Sequence, residues 1–258
     1  MNKMKPLIAL ALVCFFSMNV HAQVKKPIVK KTTTQKTTTQ KTTVKKPVVK
    51  KTVKPVVNAP KQIKLPGTRI KVTTDSGVMV IRLYDKTPQH RDNFIKLANE
   101  HFFDSLLFHR VISEFMIQGG DPQSKNAQPG QMLGMGDVGY TIPAEFDTSL
   151  FHKKGALAAA RTPNPAKASS GCQFYIVQGK KYTDADLNIV EMQKGIKYTA
   201  AQRNTYKTVG GVAFLDREYT VFGEVESGLE VIDKIASVPK GNADRPLGDV
   251  HMYIEVIK

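Results

Sequence analysis

The feature that most constrains the fold of this 258-residue chain is a change in composition near residue 67. Residues 23–66 hold 13 Lys but no Arg, acidic or aromatic residue, and the pentapeptide Thr-Thr-Thr-Gln-Lys occurs twice in succession from residue 32 to residue 41. Because like charges repel and no aromatic side chain is available for a core, burial does not offset the entropy cost of ordering. We therefore expect a disordered Lys/Thr/Pro-rich tether over 23–66, and residues 67–258 must form any folded domain.

The formal net charge of +16 lies mostly in this tether. Residues 67–258 carry 23 basic and 22 acidic side chains, so the domain itself is close to neutral. A high isoelectric point that comes from a tail does not indicate a nucleic-acid-binding domain, and we expect no specific nucleic-acid partner. Two interpretations of the tether stay open: a spacer, or electrostatic contact with anionic envelope components.

The first 22 residues have the pattern of a signal peptide. Lys3 and Lys5 precede an apolar stretch over 6–18, and Val20-His21-Ala22 has the small-x-small pattern of a cleavage site. We expect an exported protein. The periplasm is the favoured location, and association with the envelope or secretion are the alternatives. An uncleaved anchor is the second interpretation, although the apolar stretch is shorter than the roughly 20 residues that span a bilayer. A bulky residue before Cys14 argues against a lipoprotein signal.

Several other sequence patterns are possible signs of a thiol, nucleotide-binding or metal site, and none of them supports such a site. Cys172 is the one cysteine after the signal, so no intramolecular disulfide is expected, and nothing around it suggests thiol activation by His109. The stretch from Gly134 to Gly139 matches G-x-G-x-x-G but follows no buried strand, so we interpret it as a flexible loop. No His pair has metal-ligand spacing with a third ligand nearby. We expect neither a metal nor a cofactor.

The periodicity of residues 67–258 predicts many short strands and few helices. Alternating residues on both sides of Asp75-Ser76-Gly77 predict a hairpin, and Thr87-Pro88 predicts a helix start with a capping hydroxyl. A second helix is predicted over 229–236, and a helical insert over 183–207. The further strand candidates are 108–112, 115–118, 155–160, 173–177, 220–225 and 252–257. This pattern favours a mainly β domain, a closed barrel capped by two α-helices, and we expect a monomer.

One block of sequence carries a specific resemblance. The segment Phe108-His109-Arg110-Val111-Ile112, followed after two residues by Phe115-Met116-Ile117-Gln118-Gly119-Gly120-Asp121, resembles the signature of cyclophilin-type peptidyl-prolyl isomerases. Weaker blocks follow in family order at 155–161, 170–176, 214–216 and 219–225. The resemblance covers roughly residues 68–258 and implies an antiparallel eight-stranded barrel closed by two helices. It also implies that the insert is an addition to the minimal domain.

The resemblance implies roles for residues at matching positions. Arg110 corresponds to the catalytic arginine, and Gln118 and Gln173 correspond to groups that hold the substrate backbone. The implied substrate-binding set is His109, Phe115, Met116, Gln118, Ala160, Arg161, Gln173, Tyr175, Phe214, Leu215 and Tyr219. Tyr175 stands where Phe is usual and would add a hydroxyl to the pocket floor. Such departures concern substrate preference and inhibitor affinity more than activity.

These residue types suit rotation about an X–Pro bond. The planar amide is conjugated, and a rigid cation aimed at the prolyl nitrogen stabilises the twisted state more than either planar isomer. The partners implied are proline-containing polypeptides, unfolded or exported. The leading hypothesis is therefore a peptidyl-prolyl cis–trans isomerase acting on exported proteins during folding. The alternative is a proline-peptide binding module or chaperone that uses the same groove without required turnover.

Overall fold

The computed structural model describes residues 67–257, and the predicted signal and tether lie outside the described residues. Most of the elements were expected from the sequence. The strands are β1 (Arg69–Thr74), β2 (Gly77–Leu83), β3 (Leu106–Leu107), β4 (Arg110–Ile112), β5 (Met116–Gly119), β6 (Thr141–Ile142), β7 (Ala156–Ala159), β8 (Ser169–Ser170), β9 (Phe174–Val177), β10 (Val221–Ser227) and β11 (His251–Ile257). The helices are α1 (Pro88–Asn99), α2 (Asp184–Lys194), α3 (Ala200–Thr208) and α4 (Leu229–Ala236).

Nine of the described strands form one antiparallel sheet in the order β3-β11-β1-β2-β10-β7-β9-β5-β4. The predicted closed barrel of eight strands differs from this architecture, because the described residues form a curled sheet of nine strands with two unpaired ends. The end strands β3 and β4 are consecutive in the chain and are separated only by Phe108 and His109. This break lets one segment pair with β11 through its first half and with β5 through its second half.

The predicted hairpin is present, and β1 pairs with β2 up to Thr74 opposite Gly77. Helix α1 begins at Pro88 as predicted, but the predicted capping hydroxyl is wrong. Thr87 makes no side-chain cap, and the Glu145 carboxylate instead accepts hydrogen bonds from the backbone N–H groups of Gln89 and His90. A residue 55 positions away therefore satisfies the helix N-terminus.

Helices α1 and α4 cover the sheet, with α1 against β10 and β11, and α4 against β2, β4 and β5. Their apolar faces and the sheet bury one main core. Its centre is a group of contacting rings: Phe94, Phe103, Phe108, Phe174 and Phe222. This core fixes β5 and β9, the strands that carry Met116, Gln118 and Tyr175 of the candidate site.

The predicted helical insert is confirmed as the pair α2 and α3. Each helix begins with a capping box, Thr183 with Asp186 and Thr199 with Gln202, in which each side chain binds the backbone N–H of the other residue. Helix α2 ends at Lys194 and is capped by Gly195, whose left-handed φ of 61° suits a residue without a Cβ. Among residues 67–257, no helix has the length and apolarity needed to cross a bilayer.

Candidate active site

The two faces of strands β7 and β9 pack in different apolar clusters. Leu157, Ile176 and Phe174 belong to the main core under the sheet. Their sequence neighbours Ala158 and Tyr175 belong to a second apolar cluster on the opposite face, because side chains alternate along a strand. Strands β7 and β9 are consequently buried at every position, and the candidate site stands on the outer face of the curled sheet.

A line of polar side chains crosses this outer face. Arg110 lies opposite Gln118 in the β4–β5 ladder, and its Nη1 donates to Gln118 Oε1 at 3.3 Å. Gln118 Nε2 donates to Gln173 Oε1 at 3.1 Å. Gln173 Nε2 in turn donates to the carbonyl oxygens of Gly134 and Gly136, at 3.0 and 2.7 Å. Each amide is thereby oriented by the next, and the guanidinium of Arg110 is held at the exposed end of the line.

Arg110 is restrained but keeps donors free for a ligand. Its side chain is 43% exposed, and its Nε lies 3.9 Å from Asp244 Oδ2, a distance beyond a good hydrogen bond. A guanidinium has five N–H donors, and the contact with Gln118 occupies one of them. The remaining donors can meet a substrate without breaking a strong ion pair.

An apolar cup lies beside this polar line. Met116 is two residues before Gln118 on β5, so the two side chains share a face, and Tyr175 lies opposite Gln118 in the β5–β9 ladder. Met116, Tyr175 and Leu215 are buried. The partly buried members that pack against them include Phe115, Ala160 and Tyr219. Buried and partly buried apolar side chains thus lie side by side here, which is the kind of lining that an apolar ring can contact.

Aromatic rings form the rim of the cup. Phe214 is 51% exposed and stacks on Phe115 with 5.8 Å between ring centroids. On another side, the Tyr219 ring meets Tyr175 edge to face, and the Arg161 guanidinium lies 4.7 Å from the Tyr219 ring centroid. Phe214 therefore contributes to the rim and not to the floor.

Two hollows meet at Gln118. One, of about 460 Å³, is lined by Gln118, Gln173 and Arg161 among others. The other, of about 1080 Å³, is lined by Arg110, Gln118 and Asp244 among others. Because Gln118 lines both hollows, together they form a groove along the polar line.

His109 is placed differently from the other predicted site residues. Its side chain is buried at 3% exposure, and neither ring nitrogen hydrogen-bonds to another described residue. Burial lowers the pKa of His109 to about 4, although the nearby Asp121 carboxylate opposes that shift. The ring is therefore neutral at pH 7, and its nitrogens do not face the solvent in the groove.

The G-x-G-x-x-G stretch, interpreted from sequence as a flexible loop, forms a wall of the groove. Its carbonyl groups at Gly134 and Gly136 accept from Gln173, and the Gly134 N–H donates to Asp121. A Cβ on Gly136 would lie 2.1 Å from Asp121 Oδ1, so this close approach requires glycine. The loop thus fixes the far end of the polar line.

Sequence reasoning missed a buried polar group below the cup. The Tyr175 hydroxyl, expected on the pocket floor, lies 2.9 Å from His152 Nε2 beneath it, and His152 Nδ1 lies 2.8 Å from Asp216 Oδ1. All three residues are buried. The available signal was one polar atom on an otherwise apolar strand, since a buried tyrosine hydroxyl needs a partner.

Cys172 is a small residue of the main core. It is 4% exposed in the main core, and burial raises the pKa of its thiol to about 11. A thiol that stays protonated near pH 7 is a poor nucleophile. This agrees with setting aside a thiol hydrolase.

Comparisons with known proteins agree with this geometry. The family described as "Cyclophilin type peptidyl-prolyl cis-trans isomerase/CLD" matches residues 69–256. A putative peptidyl-prolyl cis-trans isomerase of Staphylococcus haemolyticus is 32% identical over 191 residues, which are 74% of this chain and 91% of that protein. A putative bifunctional phosphatase/peptidyl-prolyl cis-trans isomerase of Streptococcus pyogenes is 36% identical over 195 residues, which are 74% of this chain but 38% of that protein.

The fold has solved relatives as well. A crystal structure of a cyclophilin type peptidyl-prolyl cis-trans isomerase from Cryptosporidium parvum matches with a TM-score of 0.53 and 20% identity, covering 74% of this chain and 98% of that one. A second structure, of that enzyme in the presence of the dipeptide Ala-Pro, matches with a TM-score of 0.53 and 19% identity. At this identity the likeness concerns the fold.

Proposed function

The chain belongs to the family of cyclophilin-type peptidyl-prolyl cis–trans isomerases, and we propose that it uses Arg110 to rotate X–Pro bonds in exported polypeptides. The observation that carries this proposal is the placement of Arg110 and the apolar cup on one face of the sheet. Gln118 links the two, since it holds Arg110 and shares the strand of Met116. The guanidinium of Arg110 and the apolar cup can therefore contact the same prolyl residue.

The chemistry follows from the electronic structure of the amide. Rotation of an X–Pro bond meets a barrier of about 20 kcal/mol because conjugation must be broken. In the twisted state the prolyl nitrogen regains a lone pair, which an N–H of Arg110 can meet as a hydrogen-bond donor. This interaction is absent from the planar isomers, so it lowers the barrier without tightening ground-state binding equally.

The apolar cup has a separate task. A prolyl ring placed against Met116 and Leu215 is held while the preceding carbonyl turns, so rotation is confined to one bond. The same side chains exclude water, and a hydrogen bond from Arg110 is stronger in a drier surrounding. Gln118 uses one amide N–H on Gln173 and can offer the other to the substrate backbone. Gln173 donates both of its amide N–H groups to Gly134 and Gly136, so its proposed task is to hold Gln118 in place.

The substrates that we propose are extended, proline-containing polypeptides, bound by a monomer. The groove on both sides of Gln118 supports this, since it exceeds what a single prolyl ring fills. The related C. parvum enzyme has been crystallised in the presence of Ala-Pro. We therefore choose a short proline-containing peptide for the assay, and we propose that longer clients use more of the groove.

The test is turnover of a short Xaa-Pro peptide by the full chain. We expect acceleration of cis-to-trans conversion, and a loss of about 10²–10³ in kcat for Arg110→Ala, the range for removal of one preorganised donor. Arg69→Ala is the matched control, because Arg69 is an exposed arginine paired with Glu226 outside the cup. No acceleration by the wild-type protein would overturn the proposal, and full activity of Arg110→Ala would overturn the role of Arg110.

We further propose that residues 1–22 export the enzyme to the periplasm and that the tether contacts anionic envelope components. The support is the signal-like pattern and the excess of lysine in residues 23–66. Cell fractionation of the full chain and of a variant without residues 1–22 tests export. Binding to vesicles with and without anionic lipid, at low and high salt, tests the tether, and equal binding to both vesicles would contradict the contact.

A further inference from the structure

The helical insert packs directly behind the candidate site. Leu187, Val190 and Tyr206 of the insert form a small apolar cluster with Ala213. Ala213 begins the 3-10 turn Ala213–Leu215, which carries Leu215 of the cup. The insert is therefore joined by packing to the segment that forms one wall of the cup.

Hydrogen bonds from the insert converge on one buried carboxylate, that of Asp216. The hydroxyl groups of Tyr198 and Tyr206 each donate to Asp216 Oδ2 at 2.6 Å. On the other oxygen, Oδ1, Asp216 accepts from the backbone N–H and the Nδ1 of His152, both at 2.8 Å. Burial alone would raise the pKa of Asp216, but these donors bring its pKa below the ordinary value. The carboxylate is consequently ionised and fully coordinated.

His152 links Asp216 to the cup through hydrogen bonds at its two ring nitrogens. Because Asp216 accepts from Nδ1–H, the Nε2 of a neutral His152 is the acceptor. It receives the Tyr175 hydroxyl at 2.9 Å, and the His152 and Tyr175 rings lie nearly parallel, 14° apart. The position of the Tyr175 ring, which is the cup floor, is thereby tied to Asp216.

We propose that the insert is a positioning element for the proline cup and acts through the buried line Tyr206–Asp216–His152–Tyr175. The proposal rests on the proposed function, since it assigns a role to the pocket that Tyr175 floors. None of the three residues behind Tyr175 reaches the substrate, so they set how tightly a prolyl ring is held. They do not take part in the rotation itself.

A change in this line therefore alters affinity and leaves the chemical step nearly intact. The prolyl ring sits in the cup in both planar isomers and in the twisted state, so the floor contributes uniform binding, and its loss raises KM with little change in kcat. Tyr206→Phe is the most selective change because the ring is kept and the hydrogen bond from the hydroxyl to Asp216 is removed.

The experiment measures the Kd of an Ala-Ala-Pro-Phe peptide, together with kcat, for the full chain. We expect Tyr206→Phe to raise Kd about fivefold while kcat stays within about twofold, the effect of one buried hydrogen bond. Tyr253→Phe is the matched control, because the Tyr253 hydroxyl accepts from Ser105 away from the cup. Tyr198→Phe is the second variant should Tyr206→Phe fail to fold.

A double-mutant cycle separates positioning from a general loss of stability. In a Tyr175→Phe background the line is already cut, so Tyr206→Phe should raise Kd less than about 1.5-fold further, because coupled residues are not additive. An unchanged Kd in Tyr206→Phe, or an undiminished fivefold effect in the Tyr175→Phe background, would overturn the proposal. Peptide binding is measured without turnover, so this result is independent of whether the wild type is active.

Discussion

The two halves of the site are built in opposite ways. The polar half consists of Arg110, Gln118 and Gln173, whose side chains hold one another by hydrogen bonds and leave Arg110 43% exposed. The apolar half is held by packing, with Met116 and Tyr175 at 2% and 4% exposure. Under the proposed function, the guanidinium of Arg110 can donate to the prolyl nitrogen when the lone pair forms during rotation. The buried side chains of the cup can only bind the prolyl ring. From this difference we expect that mutations can change the rate and the affinity separately.

A single strand carries this division. Met116 and Gln118 are two residues apart on one face of β5, about 7 Å along the strand. Ile117, which lies between them, is buried in the main core. The alternation of side chains along β5 therefore also sets the distance between the apolar cup at Met116 and the polar line at Gln118. Mutations in the polar half and in the apolar half test whether the first affects mainly the rate and the second mainly the affinity.

After Arg110→Ala, the largest expected effect comes from Arg110→Lys, which keeps the charge of the polar half but removes the planar fork of the guanidinium. We expect kcat to fall by about 10², because a flexible ammonium is not preorganised toward the prolyl nitrogen. KM should stay within about threefold. Steady-state kinetics on an Xaa-Pro peptide measure both, and a kcat near that of wild type would show that charge alone suffices.

The next effect is on the stability of the fold and comes from His109, the neighbour of Arg110 in the chain. Folding lowers the pKa of His109 from 6.5 to about 4 through burial, so the unfolded chain binds more protons between these values. Stability from this group is therefore complete above pH 6.5 and is lost as pH falls toward 4, by about 3 kcal/mol. Burial also lowers the pKa of His90, against the opposing effect of Glu145, and adds to the same slope.

Urea unfolding at pH 7 and pH 4.5 measures this contribution. His109→Gln should lose less stability on acidification than wild type, whereas the control His101→Gln, at a side chain 80% exposed, should match wild type. Equal slopes for wild type and His109→Gln would contradict the burial of a neutral imidazole beside Arg110.

On the apolar half, Leu215→Ala should raise KM about tenfold and leave kcat within about threefold. The loss of buried methyl groups removes roughly 1–3 kcal/mol of grip on the prolyl ring. Leu229→Ala is the control, because Leu229 begins α4 outside the cup. A fall in kcat with constant KM would show that the cup contributes to the rotation.

The smallest expected effect is that of Gln118→Ala. Arg110 loses a hydrogen bond of 3.3 Å but keeps its place on β4, so we expect a threefold to fivefold fall in kcat, the effect of one modest hydrogen bond. Gln193→Ala, on the exposed side of the insert, is the control. A loss as large as that of Arg110→Ala would mean that the polar line, and not Arg110 alone, supplies the catalytic effect.

Much of the fold could be predicted from local patterns. The hairpin at Asp75 and both capping boxes of the insert follow from residues within four positions of one another, and local signals suffice for such elements. The strand candidates at 155–160 and 173–177 are confirmed as β7 and β9, and the structure adds that both strands are buried at every position.

The remainder depends on contacts between residues far apart in the chain. Glu145 caps α1 from 55 positions away, and Asp216 meets His152 across 64 positions. No local pattern specifies such pairs. The sheet likewise differs from the expected closed barrel because the break at Phe108 and His109 divides one segment between two ladders. For the site, the resemblance indicated which residues meet, and the structure added how Arg110 is held and where the Tyr175 hydroxyl lies.

The most direct test of the division between rate and grip is calorimetric binding of a proline-containing tetrapeptide to Arg110→Ala and Leu215→Ala. We predict a Kd within about threefold of wild type for Arg110→Ala despite its loss of turnover, and a Kd about tenfold higher for Leu215→Ala. A Kd for Arg110→Ala that rises in parallel with its loss of rate would contradict the account, because Arg110 would then bind the ground state as strongly as the twisted state.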